Sequence, residues 1–390
     1  MAPPDLLLIA PAPVIRLSPT QLRLDAKFIE GARLHARHWN GSIRFILWRN
    51  DAIPFGKDID VADLGFELTV LEPGQPLASE HLQGGGLIAA SADSHLTLDL
   101  PTHARTAGVK LVYAIEYTLD TRLRIVWLDR DRSWPRKLRA SLWLLQQEHR
   151  CRRALRDADG VQFNGWPARD AYAHLNPNNL LYLDGRMTAE LMATHADFAA
   201  RAKRSADKEP LRIANSGRLE PLKGAQDLVP IARALKAAGV DFTLDIWGTG
   251  SLAQEIRTGI SMSGLQDKVR LHDPLPFENG LVPELRKADL FLSCNRQSDP
   301  SCSYLEAMGC GLPVIGYDNT MLRRLAEASN GARTTPMGDV QAIAAGISEW
   351  ASERTALTAT AERALAFART HDFETEFTRR MAHLAEIANA

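Results

Sequence analysis

From residue 211 onward, short apolar runs alternate with helical patterns, and this alternation constrains the fold more than any other feature of the chain. Runs at 211–216, 242–247, 269–272, 290–293 and 313–316 read as strands. Between them lie helical segments: one in which Leu228, Ile231 and Leu235 fall at i, i+3 and i+7, others at 251–260 and 281–287, and one beginning at Pro300. Strands joined by helices of this length are parallel with right-handed crossovers, which makes a doubly wound α/β domain. The N-terminal half repeats the alternation, with strands at 6–10, 42–48, 86–91, 109–115 and 161–164 and helices at 24–39 and 138–156. Residues 187–210 are polar and Ala-rich and end in Asp207-Lys208-Glu209-Pro210, which reads as an interdomain connection. The expected organisation is an N-terminal domain over 1–205, a C-terminal domain over 206–372, and a helix over 373–390 returning to the first.

Composition narrows the class. The chain has 390 residues, 45% hydrophobic and 24% charged, with a net charge of -1. That suits two ordinary cores and excludes a disordered chain, a disulfide framework, or a surface built wholly for nucleic acid. The four cysteines (151, 294, 302 and 310) lack zinc-site spacing and point to a reducing compartment. The apolar stretch at 6–10 has no preceding basic residue, so no signal peptide is expected, and no run approaches the length of a membrane span. The expected location is cytoplasmic, with any membrane contact made peripherally from the inner face.

In doubly wound sheets ligands bind beyond the carboxyl ends of the strands, so the loops there are where chemistry is sought. The loop 216–224 places Arg218 and Lys223 five residues apart at a strand-to-helix turn, where helix N-terminal N–H groups also favour anions. A planar fork and a mobile point charge together suit a diphosphate; the alternative is two solvated cations. Gly248-Thr249-Gly250-Ser251-Leu252-Ala253 matches a dinucleotide fingerprint but follows the second strand, not the first, which leaves a nicotinamide dehydrogenase the weakest reading. Gly248 and Gly250 read either as close backbone approach to a ligand or as a tight turn. In 298–315, Asp299 is a good N-cap, Pro300 suits the first helical position, and Gly309 or Gly311 ends the helix. Glu306, flanked by Leu305, Ala307 and Met308, is costly to bury unless it binds something.

Gly217-Arg218-x4-Lys223-Gly224, Gly248-x-Gly250 and Leu305-Glu306-Ala307-Met308-x-Cys310-Gly311-Leu312-Pro313-Val314 together resemble the nucleotide-binding half of retaining glycosyltransferases of the GT-B fold, in that family's order and spacing over residues 210–320. This is the large group 1 family that includes bacterial mannosyl- and glucosyltransferases. The resemblance implies two Rossmann-like domains facing across a cleft. It also implies a hexosyltransferase using a UDP- or GDP-sugar, with no metal and no cofactor beyond that donor. Arg218 and Lys223 would hold the diphosphate, Glu306 the ribose hydroxyls, and backbone around Leu271 to Pro274 the base. Gly217, Gly248, Gly250, Ser298, Asp299, Pro300 and Ser301 would complete the donor site. Two positions depart from the family pattern: Ser298 stands where a glutamate contacts the donor sugar, with Asp299 either replacing it or only capping, and Pro11-Ala12-Pro13-Val14 stands in place of a Gly-rich loop.

Glu116 occupies the place of a family histidine near the acceptor, as a proton or hydrogen-bond acceptor or as an ordinary strand end. Tyr117, Lys27 and His95 are further acceptor-side candidates. Residues 121–156 carry eleven basic side chains against three acidic, a net +8, together with Trp127, Trp134 and Trp143. That mixture suits an anionic membrane surface. A solvated helix with Leu138, Leu142 and Leu145 facing the core, or a nucleic-acid surface, are the other readings. The expected function is transfer of a sugar to a saccharide or lipid-linked acceptor in bacterial polysaccharide or glycolipid synthesis. The alternatives are a nucleotide-sugar epimerase or hydrolase, or a non-catalytic binder.

Overall fold

The computed structural model describes residues 4–53, 56–129, 131–298 and 300–390. The chain forms two compact units, one of Met1–Leu119, Leu138–Tyr182 and Phe377–Ala390, the other of Asp120–Lys137 and Leu183–Glu376.

Among the described residues the first unit holds nine strands: β1 (Leu6–Arg16), β2 (Gln21–Asp25), β3 (Ile43–Arg49), β4 (Gly56–Asp60), β5 (Glu67–Leu71), β6 (Leu87–Ser91), β7 (Lys110–Ile115), β8 (Gly160–Asn164) and β9 (Asn179–Tyr182). Its parallel body runs β5-β3-β1-β6-β7-β8-β9; β2 pairs antiparallel with β1, and β4 antiparallel with β2. Strand β1 does not stop at residue 10: it continues through Pro11 and Pro13 to Arg16, with its register against β3 shifting between Ile9 and Pro13. Prolines cannot donate to a ladder, and a shifted register is where a strand tolerates them, so Pro11–Val14 forms strand where a loop was expected. Both faces of the sheet are covered. Leu7, Ile9, Ile88 and Tyr113 pack with Cys151 and Leu155 on one side. On the other, Leu6, Leu8 and Leu87 pack with Phe377, Met381, Leu384 and Ile387 of the helix Phe373–Asn389. Each such side chain contributes about 1.5–3 kcal/mol when fully buried.

The second unit carries β10 (Leu211–Ser216), β11 (Phe242–Trp247), β12 (Val269–His272), β13 (Leu290–Ser293), β14 (Val314–Tyr317) and β15 (Ala332–Thr335), in the order β12-β11-β10-β13-β14-β15 with every pairing parallel. That is the doubly wound order 3-2-1-4-5-6, whose crevice opens between the first and fourth strands, here β10 and β13. One face is sealed by Leu228, Ile231 and Leu235 of the helix Leu228–Ala237, with Ile343 and Ile347 of the helix Val340–Ser352.

The units divide at residue 182/183, not near 205. The segment expected to be a loose connection is fastened to the second unit: Met187 and Met192 are buried, the Ala193 N–H donates to the Gly309 carbonyl at 2.7 Å, and Arg201 donates to the carbonyls of Cys310 and Gly311 at 2.6 and 2.5 Å. Residues 195–206 form a helix whose N-cap Thr194 is closed by Asp197.

Candidate active site

The loop leaving β10 begins at exposed Gly217 and Arg218 and ends at half-buried Lys223 and buried Gly224. Three hydrogen bonds lock it to the loop leaving β11: Gly217 N–H to the Trp247 carbonyl (3.0 Å), Leu219 N–H to the Thr249 carbonyl (2.9 Å) and Leu252 N–H to the Leu219 carbonyl (2.9 Å). A Cβ on Gly248 would overlap the Gly217 carbonyl oxygen. The glycine is therefore needed so that one loop can lie against another. Gly224 has φ +68°, and a Cβ there would overlap the Cys294 carbonyl, so the same loop also sits tightly on the segment leaving β13. Glu220 joins the clamp by accepting from the Ser251 hydroxyl (2.6 Å) and N–H (2.9 Å). These bonds, the hydroxyl's first, and the nearby Arg218 charge hold its carboxyl below the usual range.

Across the crevice, the segment after β13 is fixed by buried polar contacts. The Tyr304 hydroxyl lies within hydrogen-bond reach of Asn295 Nδ2 (3.3 Å) and Asn319 Nδ2 (3.2 Å), and Arg296 forks onto Asp227 Oδ2 at 2.6 and 3.2 Å. Ser298 is buried, and its hydroxyl accepts from the Thr320 N–H at 3.3 Å, so this position supports the start of the helix Thr320–Ser329. Asp299 lies outside the described residues. The helix expected from Pro300 begins two residues later, as Cys302–Gly309 with Ser301 at its N-cap; the Ser301 hydroxyl meets Ser303 Oγ at 2.7 Å.

Glu306 is 3% exposed, and Arg186 meets it with Nε at 2.8 Å and Nη2 at 2.6 Å, both on Oε1. The same guanidinium lies 4.0 Å from the Phe277 ring centroid. Leu271, at the end of β12, lines an open groove with Trp247 and His272; the His272 ring stacks on Trp247, with Nε2 2.6 Å from Asp245 Oδ1. The Gly217, Arg218, Lys223, Gly248, Gly250, Ser298, Pro300, Ser301 and Glu306 positions thus fall on the loops and the following helix at the carboxyl edge of one sheet, with Leu271 near the end of its strand β12. Burial pushes the Cys310 thiol up to about 12 and raises Cys294 as well, which disfavours the thiolate at both.

In the first unit, Glu116 and Tyr117 follow β7, and both backbone N–H groups donate to Asp93 (2.9 and 3.0 Å), which follows β6. Asn164, ending β8, donates to Glu116 Oε2 at 3.1 Å. Asp93 and Asn164 were not singled out in the sequence because neither belongs to a local motif. His95 is exposed and meets Trp143 edge-on at 5.5 Å. Lys27 falls in the first turn of the helix Ala26–His38, and its side chain lies outside the described residues.

The helix Trp134–Asp157 turns Gln147, Glu148, Cys151, Ala154 and Leu155 inward. Leu138, Leu142 and Leu145 do not face the core. With Trp134 they form a stripe at i, i+4, i+8 and i+11 that is 42–64% exposed. Farther along the helix the solvent side carries exposed Arg153 and Arg156. Among the described residues no helix is long and apolar enough to cross a membrane.

Comparison with known proteins agrees with this geometry. Residues 210–353 match the family model "Glycosyl transferases group 1". A relative, the amylovoran biosynthesis glycosyltransferase AmsK of Erwinia amylovora, is 32% identical over 148 residues, 36% of each chain. The chain therefore spans about a third of the length of the curated relatives it matches. Among solved structures, Anabaena Alr3699/HepE in complex with UDP superposes with a TM-score of 0.67 at 16% identity, covering 98% of this chain and 99% of that one. Sucrose-phosphate synthase of Thermosynechococcus elongatus gives 0.67 at 16% identity, covering 98% of both. Residues 210–353 are thus similar to the group 1 glycosyltransferases, and the chain as a whole has the two Rossmann-like domains of the GT-B fold.

Proposed function

We propose that the protein is a retaining hexosyltransferase that moves a sugar from a UDP- or GDP-sugar to a saccharide or lipid-linked acceptor in bacterial polysaccharide or glycolipid synthesis. The observation that supports the reading is that Arg218 and Lys223 follow β10 while the buried Glu306 lies in the helix after β13, its neighbour in a 3-2-1-4-5-6 sheet. HepE solved with UDP and with UDP-glucose favours a UDP-sugar, and AmsK's place in amylovoran biosynthesis favours a polysaccharide product.

In this reading the bond from the sugar C1 to the diphosphate oxygen breaks, and its electron pair stays on that oxygen. Arg218 and Lys223 offset the charge that develops there. The acceptor oxygen bonds C1 from the same face, and its proton passes to a carboxylate, the role assigned to Glu116, which Asn164 orders. Two fixed cations supply the charge stabilisation, so turnover is expected to survive chelation of divalent ions. Removing one such group costs about a hundredfold or more in turnover. Arg218→Ala is the test: Arg218 is exposed, so the variant folds, and unchanged turnover of UDP- and GDP-sugars would overturn the assignment.

The exposed Trp134-Leu138-Leu142-Leu145 stripe within a segment of net charge +8 favours peripheral attachment to an anionic bilayer on its cytoplasmic side. Cosedimentation with phosphatidylglycerol vesicles, weaker with phosphatidylcholine and abolished by Leu142→Glu, is the expected result. Equal recovery of wild type and variant would refute it.

A further inference from the structure

Arg186 belongs to no motif of the donor site, yet the fold delivers it there. Gly185 packs against Leu305, where an added Cβ would come 3.4 Å from Cδ1, and a Cβ on Gly309 would meet the Met187 side chain. The Phe373 N–H also ties down the Met187 carbonyl at 2.9 Å. The residues on both sides of Arg186 are thus seated along the helix Cys302–Gly309, and the backbone between them has one place to lie. Its side chain stays 48% exposed, while the carboxylate it pairs with is 3% exposed. Beyond the carboxylate, the guanidinium rests on Phe277, the first residue of the π-helical turn Phe277–Leu281 that follows the 271–274 segment.

We propose that Arg186 is the positioning residue of the ribose site: it keeps the buried Glu306 carboxylate ionised and oriented, and through its stack on Phe277 joins that carboxylate to the base-side loop. The inference rests on the reading of Glu306 as the ribose contact. A buried carboxylate without a cation takes a proton, and a protonated acid no longer accepts from both hydroxyls of a diol. Both bonds from Arg186 end on Oε1, which holds that oxygen in place. Arginine suits the post because its planar fork stacks on an aromatic ring while it donates along its edge; a lysine supplies the charge alone.

Direct titration of the full chain with UDP and GDP, each beside its 2′,3′-dideoxy counterpart, tests the proposal. A pair of hydrogen bonds from ribose hydroxyls to an ionised carboxylate makes the wild type prefer the ribonucleotide by about ten- to a hundredfold. In Arg186→Ala that ratio collapses toward one while affinity for the dideoxy nucleotide holds. Arg186→Lys keeps the charge without the fork or the stack and falls between. A wild type that does not distinguish the two sugars, or that binds neither nucleotide series, overturns the ribose reading of Glu306 and the proposal with it. A wild type that discriminates, with Arg186→Ala keeping the full ratio, overturns the role of Arg186 alone. Equal loss of both nucleotides in Arg186→Ala would show a general structural part and also refute positioning.

Discussion

Substituting Gly248 by alanine separates two uses of a glycine. Were it there to let a ligand approach, Gly248→Ala would weaken donor binding and leave stability alone. The structure instead puts the added Cβ onto the Gly217 carbonyl oxygen, so the loops leaving β10 and β11 must part. Parting them strains three hydrogen bonds: Gly217 to Trp247, Leu219 to Thr249 and Leu252 to Leu219. At about 0.5–1.5 kcal/mol each, their loss amounts to roughly 2–4 kcal/mol. For a unit of this size each kcal/mol lowers the melting temperature by about 2–4 °C, so the second unit is expected to melt roughly 5–15 °C lower. Arg218 sits between two of the strained bonds and moves with them, so donor affinity falls in the same variant. Calorimetry reads the melting and a nucleotide titration reads the site. A Gly248→Ala protein with wild-type melting and weakened donor binding would refute the loop-packing reasoning.

Other consequences are as direct. Asp289 is buried and accepts from Arg204 Nη2 and the Arg212 N–H, both at 2.8 Å; Asp289→Ala strands Arg204 and is expected to cost about 3–5 kcal/mol in urea unfolding, and a loss below 1 kcal/mol would contradict it. Burial drives His35 down to about 4 from its ordinary 6.5, against the opposing bond to the Gly31 carbonyl. The unfolded chain then binds a proton the folded chain refuses, so this stability is whole above pH 6.5 and declines by up to about 3 kcal/mol as pH falls toward 4. In His35→Gln the decline across that window is expected to flatten; an identical slope in both proteins would rule out His35 as its source.

Strands β10 to β13 were legible to the residue because apolar side chains recur along each between turn residues, as Val269 and Leu271 do even in the edge strand β12. Strands β4 (Gly56–Asp60) and β15 (Ala332–Thr335) were not, since these edge strands carry at most one apolar side chain each. The 216–224 loop and Glu306 could be read because each lies within a local motif. Arg186 could not, because its partner is 120 positions away and only the path of the chain brings them together. The stripe of Leu138, Leu142 and Leu145 was visible as a period, but a period is the same whether it faces a core or solvent. Here Gln147, Glu148 and Cys151 occupy the inward side, with the Glu148 carboxylate accepting from the Tyr172 hydroxyl at 3.0 Å.

We propose that the crevice between β10 and β13 binds a nucleoside diphosphate sugar through Arg218. Thermal shift of wild type and Arg218→Ala against UDP, GDP, ADP, their sugar conjugates and NAD tests it most directly, since a ligand at a hundred times its Kd adds about 2.7 kcal/mol to the native state. A rise in melting temperature with one nucleoside diphosphate series, reduced in Arg218→Ala, is the expected result. Stabilisation by NAD alone, or an equal shift in both proteins, would contradict it.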